Sequence, residues 1–442
     1  MDKNTSYPDD TQVPTNLNKG EHASEPEKAT TKGSKPKEPA KDDAKGDGKE
    51  RPTIERVESY FNSNGYRFRY NSVKNEIEFQ QGKSSAWEAC DERASLRLEA
   101  KLLRASFKNI NRVLAVLLAN SPEYDPVIDY LKNLPKWDGK DHITALASYV
   151  IIGQERREWF DLMFKKHLVR LLQCATGRRD FNKQILVLVS NQNDGKTTFT
   201  RFLCPPAWSD YYTEEIDFES KDALMTLARN LFINLDELRG MRRADINKVK
   251  AFTTKSDIKA RFPFDRRETK MRRRATFFAS TNNPEFLTDE TGNVRWLCFE
   301  IEGIKHDNGG PDGYSQNIDI NQVYAQAWHL VNTGFDGSLT REEIAKSESY
   351  NQAHTKKSIE YELILKYFKP SEKPADFKQA ADIQKLLTDA PIFCRSPLPV
   401  EAIGKALKQL GYERRSRRKN GNPVYGFFLE FDPTGGIWDA ET

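Results

Sequence analysis

Residues 184–204 read QILVLVSNQNDGKTTFTRFLC. QILVLVS is a short continuous apolar run, the pattern of a strand buried on both faces. From Ser190 to Thr197 the chain matches G-x-x-x-x-G-K-[ST], with Ser190 in place of the first glycine. A phosphate-binding loop needs backbone N–H groups around the phosphates, a lysine for the β- and γ-phosphates and a hydroxyl for Mg²⁺. Lys196 and Thr197 supply the last two, and Asn193, Asp194, Gly195 and Thr198 complete the binding segment. Asn193 and Asp194 tolerate the left-handed backbone that glycine normally fills in such loops. Gly-Lys-Thr at a helix start also arises by chance; its position between an apolar strand and a helix argues against that reading.

Three more apolar runs follow: LFINLD (231–236), TFFAST (276–281) and WLCFEI (296–301). Helical segments separate them, which predicts an α/β fold around a parallel sheet. The second strand ends in Asp236–Glu237. Asp236 would hold Mg²⁺ and Glu237 would polarise an attacking water, the division of labour an ATPase requires. Acids after a strand are also common helix starts. The third strand ends at Asn282, whose amide suits a water near the γ-phosphate or, more plainly, a turn. These features occur in order, each at the carboxyl end of a strand, where open α/β sheets bind ligands. Together they predict a nucleoside triphosphate site using ATP and Mg²⁺.

Between the acids and Asn282 the charge becomes one-sided. Residues 241–274 hold thirteen Lys/Arg against four Asp/Glu, a local +9 against +4 for the whole chain. Arg261, Arg266, Arg267, Lys270, Arg272, Arg273 and Arg274, with Phe262 and Phe264 between them, suit a phosphate backbone and stacked bases. A solvated charged face is the plainer alternative. The tail repeats the pattern. After helical 403–410 come Arg414, Arg415, Arg417, Arg418 and Lys419, then a turn into the apolar PVYGFFLEF. Helices followed by a two-stranded ribbon predict a small winged-helix-like module. It would lie along nucleic-acid phosphates or bind a protein.

Residues 1–52 are charged, Pro-rich and nearly devoid of apolar side chains, which predicts a disordered polyampholyte tail. Residues 53–180 read as a mostly helical unit with one hairpin, YRFRY to EIEF, turning at Asn71–Asn75. His142 and His167 have no partner at metal-ligand spacing. No apolar run reaches the roughly 18–20 residues of a membrane span. The five cysteines are far apart, with no C-x-x-C pair, which fits a reducing cytoplasm. The expected division is 1–52, 53–180, a nucleotide-binding core at 181–345 and a C-terminal module at 346–442.

Three motifs carry a family resemblance. STNNPEFLTDETGNVRW, PVIDYLKNLPKWDGK and KAFTTKSDIKARFPFDRR resemble spaced segments of the virulence-associated E family of phage and genomic-island proteins. The likeness spans roughly 125–330. It implies a P-loop AAA+-like ATPase core related to superfamily 3 helicases. Lys196 and Thr197 would be the phosphate-loop pair, Asp236 and Glu237 the acidic pair, Asn282 the polar sensor. Arg295 would be an arginine finger reaching a neighbour's ATP, with Arg261 or Arg266 as rivals. Ser190, Asn193, Asn234 and Val294 depart from the pattern. The function implied is an ATP-driven DNA helicase or translocase for a phage or mobile element. It would act as a ring, a hexamer, on single-stranded or forked DNA, with any primase a separate protein. The alternative is an ATP-switched DNA-binding initiator or regulator that does not unwind.

Overall fold

The four apolar runs form four of the five strands of one sheet in the computed structural model, three in its middle and WLCFEI at an edge. The structure describes residues 53–82, 86–108, 110–220, 222–236, 238, 243–260, 268–287, 293–389, 398–419 and 422–434. The expected tail 1–52, Glu237, Arg261, Arg266 and Arg267 lie outside the described residues.

The strands are β1 (Ile185–Val189), β2 (Tyr212–Thr213), β3 (Phe232–Leu235), β4 (Thr276–Thr281) and β5 (Trp296–Glu300). Their spatial order is β5-β1-β4-β3-β2, every pair parallel. The protein is therefore a mixed α/β molecule with a parallel sheet and helices on its faces. β4, late in the chain, lies between β1 and β3. That interleaving brings the loops after β1, β3 and β4 together at one edge.

The sheet separates two apolar layers. Leu186, Leu188, Phe232, Phe278, Leu297 and Phe299 face one; Ile185, Val187, Val189, Ile233, Phe277, Ala279 and Cys298 face the other. All are under 3 % exposed, and each such Leu or Phe contributes roughly 1.5–3 kcal/mol. The first layer is covered by α1 (Gln154–Ala175), α2 (Lys196–Phe202, after the loop) and α4 (Ile320–Asn332). Its cluster runs from Val73 and Val127 to Val331, so position 180, the expected boundary, falls inside it. The second layer includes Val249 from α3 (Arg243–Thr253). α5 (Arg341–Gln352) covers the edge strand: Ser347 Oγ and Asn351 Nδ2 donate to Trp296 O at 3.2 and 2.8 Å.

Two smaller apolar clusters flank this core. One, from Val57 to Leu118, sits under a four-stranded sheet. That sheet includes the expected hairpin, Tyr66–Asn71 against Glu76–Gln81, with Asn75 at φ 55° in its turn. The sequence reading of this part as mostly helical missed its two outer strands, Glu88–Ala89 and Glu123–Tyr124, two residues each. The other cluster joins helices Ile359–Tyr367, Ala380–Asp389 and Val400–Gln409 to a ribbon pairing Arg415–Lys419 with Asn422–Phe431. Among the described residues no helix is long and apolar enough to cross a membrane.

Candidate functional site

A cleft of about 1010 Å³ opens at the carboxyl ends of β1, β3 and β4. It is lined by the loop after β1, by Asp236 after β3, by Ser280, Thr281 and Asn282 at the end of β4, and by residues 306–315. β1 is where the connections diverge to both sides of the sheet, the position at which such sheets bind ligands.

The loop is held by its own lysine. Lys196 Nζ donates to Ser190 O and Oγ, both at 3.1 Å, and to Asn191 O at 2.6 Å. Only 8 % of the residue is exposed. Burial lowers the pKa of this ammonium, with the charges of Asp194 and Asp236 acting against the shift. Asn193 has φ 71° and Gly195 φ 81°, the turns that aim the loop into the cleft. The expectation for Asp194 is corrected: it is absent from the positive-φ residues. One of its carboxylate oxygens is buried without a hydrogen-bond partner. Thr198 lines the cleft at the start of α2.

Asp236 gathers the next group. Thr197 Oγ1 donates to both its carboxylate oxygens at 3.1 Å, and Ser280 Oγ donates to Oδ1. An oxygen-only set of a hydroxyl and a carboxylate suits Mg²⁺, a hard cation that keeps several waters and takes substrate phosphate oxygens as further ligands. Among the described residues no group of three or more His, Cys, Asp or Glu could hold a metal alone. Asn282 lines the same cleft. Its neighbour Asn283 is committed to the turn, with Nδ2 donating to Glu285 O at 3.2 Å.

Sequence reasoning missed Ser280 and the whole 306–315 segment. Ser280 was visible as a polar residue in an apolar strand. HDNGGPDG reads as an ordinary loop, and nothing in its composition says which surface it covers.

Arg295 stands elsewhere. β5 runs parallel to β1, with Trp296 opposite Ile185 and Glu300 opposite Val189. Arg295 therefore sits at the amino edge of the sheet, a strand's length of roughly 15 Å from the cleft edge. It lines a separate cavity of about 520 Å³ with Arg179, Lys183 and Thr254, and its Nε is buried without a hydrogen-bond partner.

The basic residues divide. Asp257–Ala260 and Thr269–Arg272 form a two-stranded ribbon. Lys270 on it is 61 % exposed and pairs with Asp257 at 2.9 Å; Arg272 is exposed beside Gly177. Arg273 is a correction to the expected nucleic-acid set. It is fully buried, donating to Thr253 O at 2.5 Å and Asn182 O at 3.1 Å, so it anchors the ribbon from inside. Arg274 is mostly covered and held by Asp125 at 2.7 Å and Ala175 O at 3.1 Å, which also removes it from the surface set. On the tail ribbon Arg414, Arg415, Arg417 and Arg418 are exposed. Arg414 lies over the Tyr425 ring at 5.0 Å and Arg417 over Phe377 at 6.0 Å. Lys419 ends that strand.

The sequence matches the family model described as the virulence-associated protein E-like domain over residues 131–356, just over half of the chain. No curated protein matches it. Among solved structures, the apo structure of the NrS-1 C-terminal region (305–718) is 12 % identical with a TM-score of 0.48, covering 86 % of this chain and 100 % of that one. An A-form apo structure of the same region is 10 % identical at a TM-score of 0.47, covering 85 % and 98 %.

Proposed function

The chain belongs to the virulence-associated protein E-like family, and we propose that it is a P-loop ATPase of the AAA+ type. In this reading it drives a DNA helicase or translocase in the replication of a phage or mobile element. The observation that carries the proposal is the meeting of Lys196, Thr197, Asp236, Ser280 and Asn282 at one cleft. They come from three strand ends that are far apart in sequence.

When bound, Mg²⁺ supplies charge neutralisation to the phosphates, held by Thr197 and Asp236. Lys196, released from Ser190 and Asn191, turns to the β- and γ-phosphates, so the carbonyls it now satisfies act as its resting place. Asn282 orients water at the far side of the cleft. Glu237 follows Asp236 in sequence and is the proposed base; changing it to Gln should preserve ATP binding and cost about 10²–10⁴-fold in turnover.

Arg295 cannot serve its own cleft from the opposite edge, which supports a ring in which it reaches a neighbour's nucleotide. The ribbon 257–272 and the tail ribbon present Lys270, Arg272 and Arg414–Arg418 to DNA, the tail as a winged-helix-like module. The division we propose is a helical and sheet unit before the core, the ATPase core, and that module.

Strand displacement on a forked DNA is the deciding experiment. Wild-type protein should separate the strands only with ATP and Mg²⁺, and Lys196→Ala should not. ATP hydrolysis with DNA binding but no displacement would replace the helicase by an ATP-switched initiator.

A further inference from the structure

After β5 the chain makes a two-residue pairing, Gly303–Ile304 against Val150–Ile151, and Lys305 N–H donates to Tyr149 O at 2.8 Å. It then turns sharply. Asp307, Asn308 and Gly309 follow one another with φ of 44°, 45° and 85°. Asp and Asn are the side chains besides glycine that tolerate the left-handed region, so the sequence here is suited to a tight turn.

That turn orients one imidazole. The turn brings Asn308 N–H to His306 Nδ1 at 3.0 Å. A ring whose Nδ1 accepts carries its proton on Nε2 when neutral, so Nε2 is a donor in either protonation state. The ring lies over the loop after β1. A Cβ on Gly195 would stand 2.7 Å from His306 Cδ2 and 3.5 Å from Nε2. His306 is half-buried and lines the cleft. The Cδ2–Nε2 edge thus faces the stretch of backbone that would wrap the phosphates. Asp307, the nearest acid in the turn, is occupied: its Oδ2 accepts from Asp312 N–H at 3.0 Å.

We propose that His306 donates a hydrogen bond from Nε2 to a phosphate oxygen of the bound nucleotide, delivered across Gly195 by the left-handed 307–309 turn. This rests on reading the cleft as a nucleotide site. It also gives that site a wall from outside the three strand ends, anchored at Tyr149–Ile151. Bound phosphate and the layer that packs α1 are thereby linked through one short segment.

The test uses the full chain, Mg²⁺, and two probes, ATP and inorganic tripolyphosphate, with binding measured by titration calorimetry. Three variants separate donation from packing: His306→Ala removes both, His306→Phe keeps a ring over Gly195 without a donor, and His306→Gln keeps a donor. Melting curves establish that each variant is folded. Expected is about tenfold or greater weakening of both probes in the Ala and Phe variants, as for loss of a hydrogen bond to a charged group, with Gln within about threefold of wild type. Phe binding like wild type would make His306 a packing residue and overturn the proposal. Ala binding like wild type would overturn it as well. If wild type and Lys196→Ala bind both probes equally, the nucleotide reading falls and takes the proposal with it.

Discussion

Arg272 and Arg273 are neighbours in one run of arginines and have opposite fates. Arg272 is exposed on the ribbon, while Arg273 is buried with its guanidinium on Thr253 O and Asn182 O. Burial lowers the pKa of Arg273 to about 10, which leaves it charged at neutral pH. Arg273→Ala should destabilise the protein by about 2–4 kcal/mol, the cost of losing charged, buried hydrogen bonds, read as a shift in the urea midpoint. Arg272→Ala should leave that midpoint unchanged and lower the salt slope of DNA binding by about one. Equal stability loss in both variants would contradict the division. The sequence could not separate them, because a charge run has no periodicity long enough to show which side chain turns inward. Lys196, Thr197 and Asp236 were legible for the opposite reason. Their meeting at one cleft depends on spacing along the chain and on strand ends, both written in the sequence. Lys196 itself is buried, its ammonium donating to the carbonyls of Ser190 and Asn191 in its own loop.

Among the elements, α1 is weakly amphipathic in sequence and the most telling in structure. Thirteen of its 22 residues are buried, Lys166, His167 and Arg170 among them, so the helix is covered on several sides although its sequence is rich in charge. Its periodicity predicts a helix but not what the helix covers, and the strands it packs against lie beyond the expected boundary at 180. The strands were legible as runs; their order was not, because inserting β4 between β1 and β3 is decided by packing between distant segments. Asp141 shows how the helical layer is tied. It caps His142–Ala147, accepting from Thr144 N–H at 3.0 Å, and also accepts from Lys165 of α1 and Gln326 of α4, both at 2.9 Å. Partial burial raises its pKa, but the Thr144, Gln326 and Lys165 hydrogen bonds together hold it well below the usual carboxylate range. Asp141→Ala should cost about 1–2 kcal/mol at neutral pH. A depressed folded pKa means that this contribution is fully present above the ordinary carboxylate range and is lost as the pH falls through the folded value. Chemical denaturation of wild type and variant should therefore differ at pH 7 and converge in strong acid. A gap that persists there would assign the loss to packing.

At the scale of the whole molecule the sheet has two working edges. The carboxyl edge carries the cleft, and the amino edge carries Arg295 with Arg179 and Lys183. In the proposed ring, Arg295 of one copy reaches the cleft of the next. Mixing Arg295→Ala with Lys196→Ala protein should then restore part of the lost ATPase activity, because some junctions regain both groups. No recovery at any ratio would confine Arg295 to its own subunit. The basic ribbons should also differ. The ribbon at 257–272 lies between β3 and β4 in the chain, so Lys270→Ala with Arg272→Ala should remove DNA stimulation even at saturating DNA. Alanines at 414, 415, 417 and 418 should only raise the DNA concentration required. All of this depends on whether the cleft hydrolyses nucleotide. Phosphate release from ATP with Mg²⁺, with and without forked DNA, tests that directly in wild-type and Lys196→Ala protein of equal fold. Wild type should turn over ATP, faster with DNA, and Lys196→Ala should fall to background. Turnover in Lys196→Ala at the wild-type rate would contradict the assignment of this cleft.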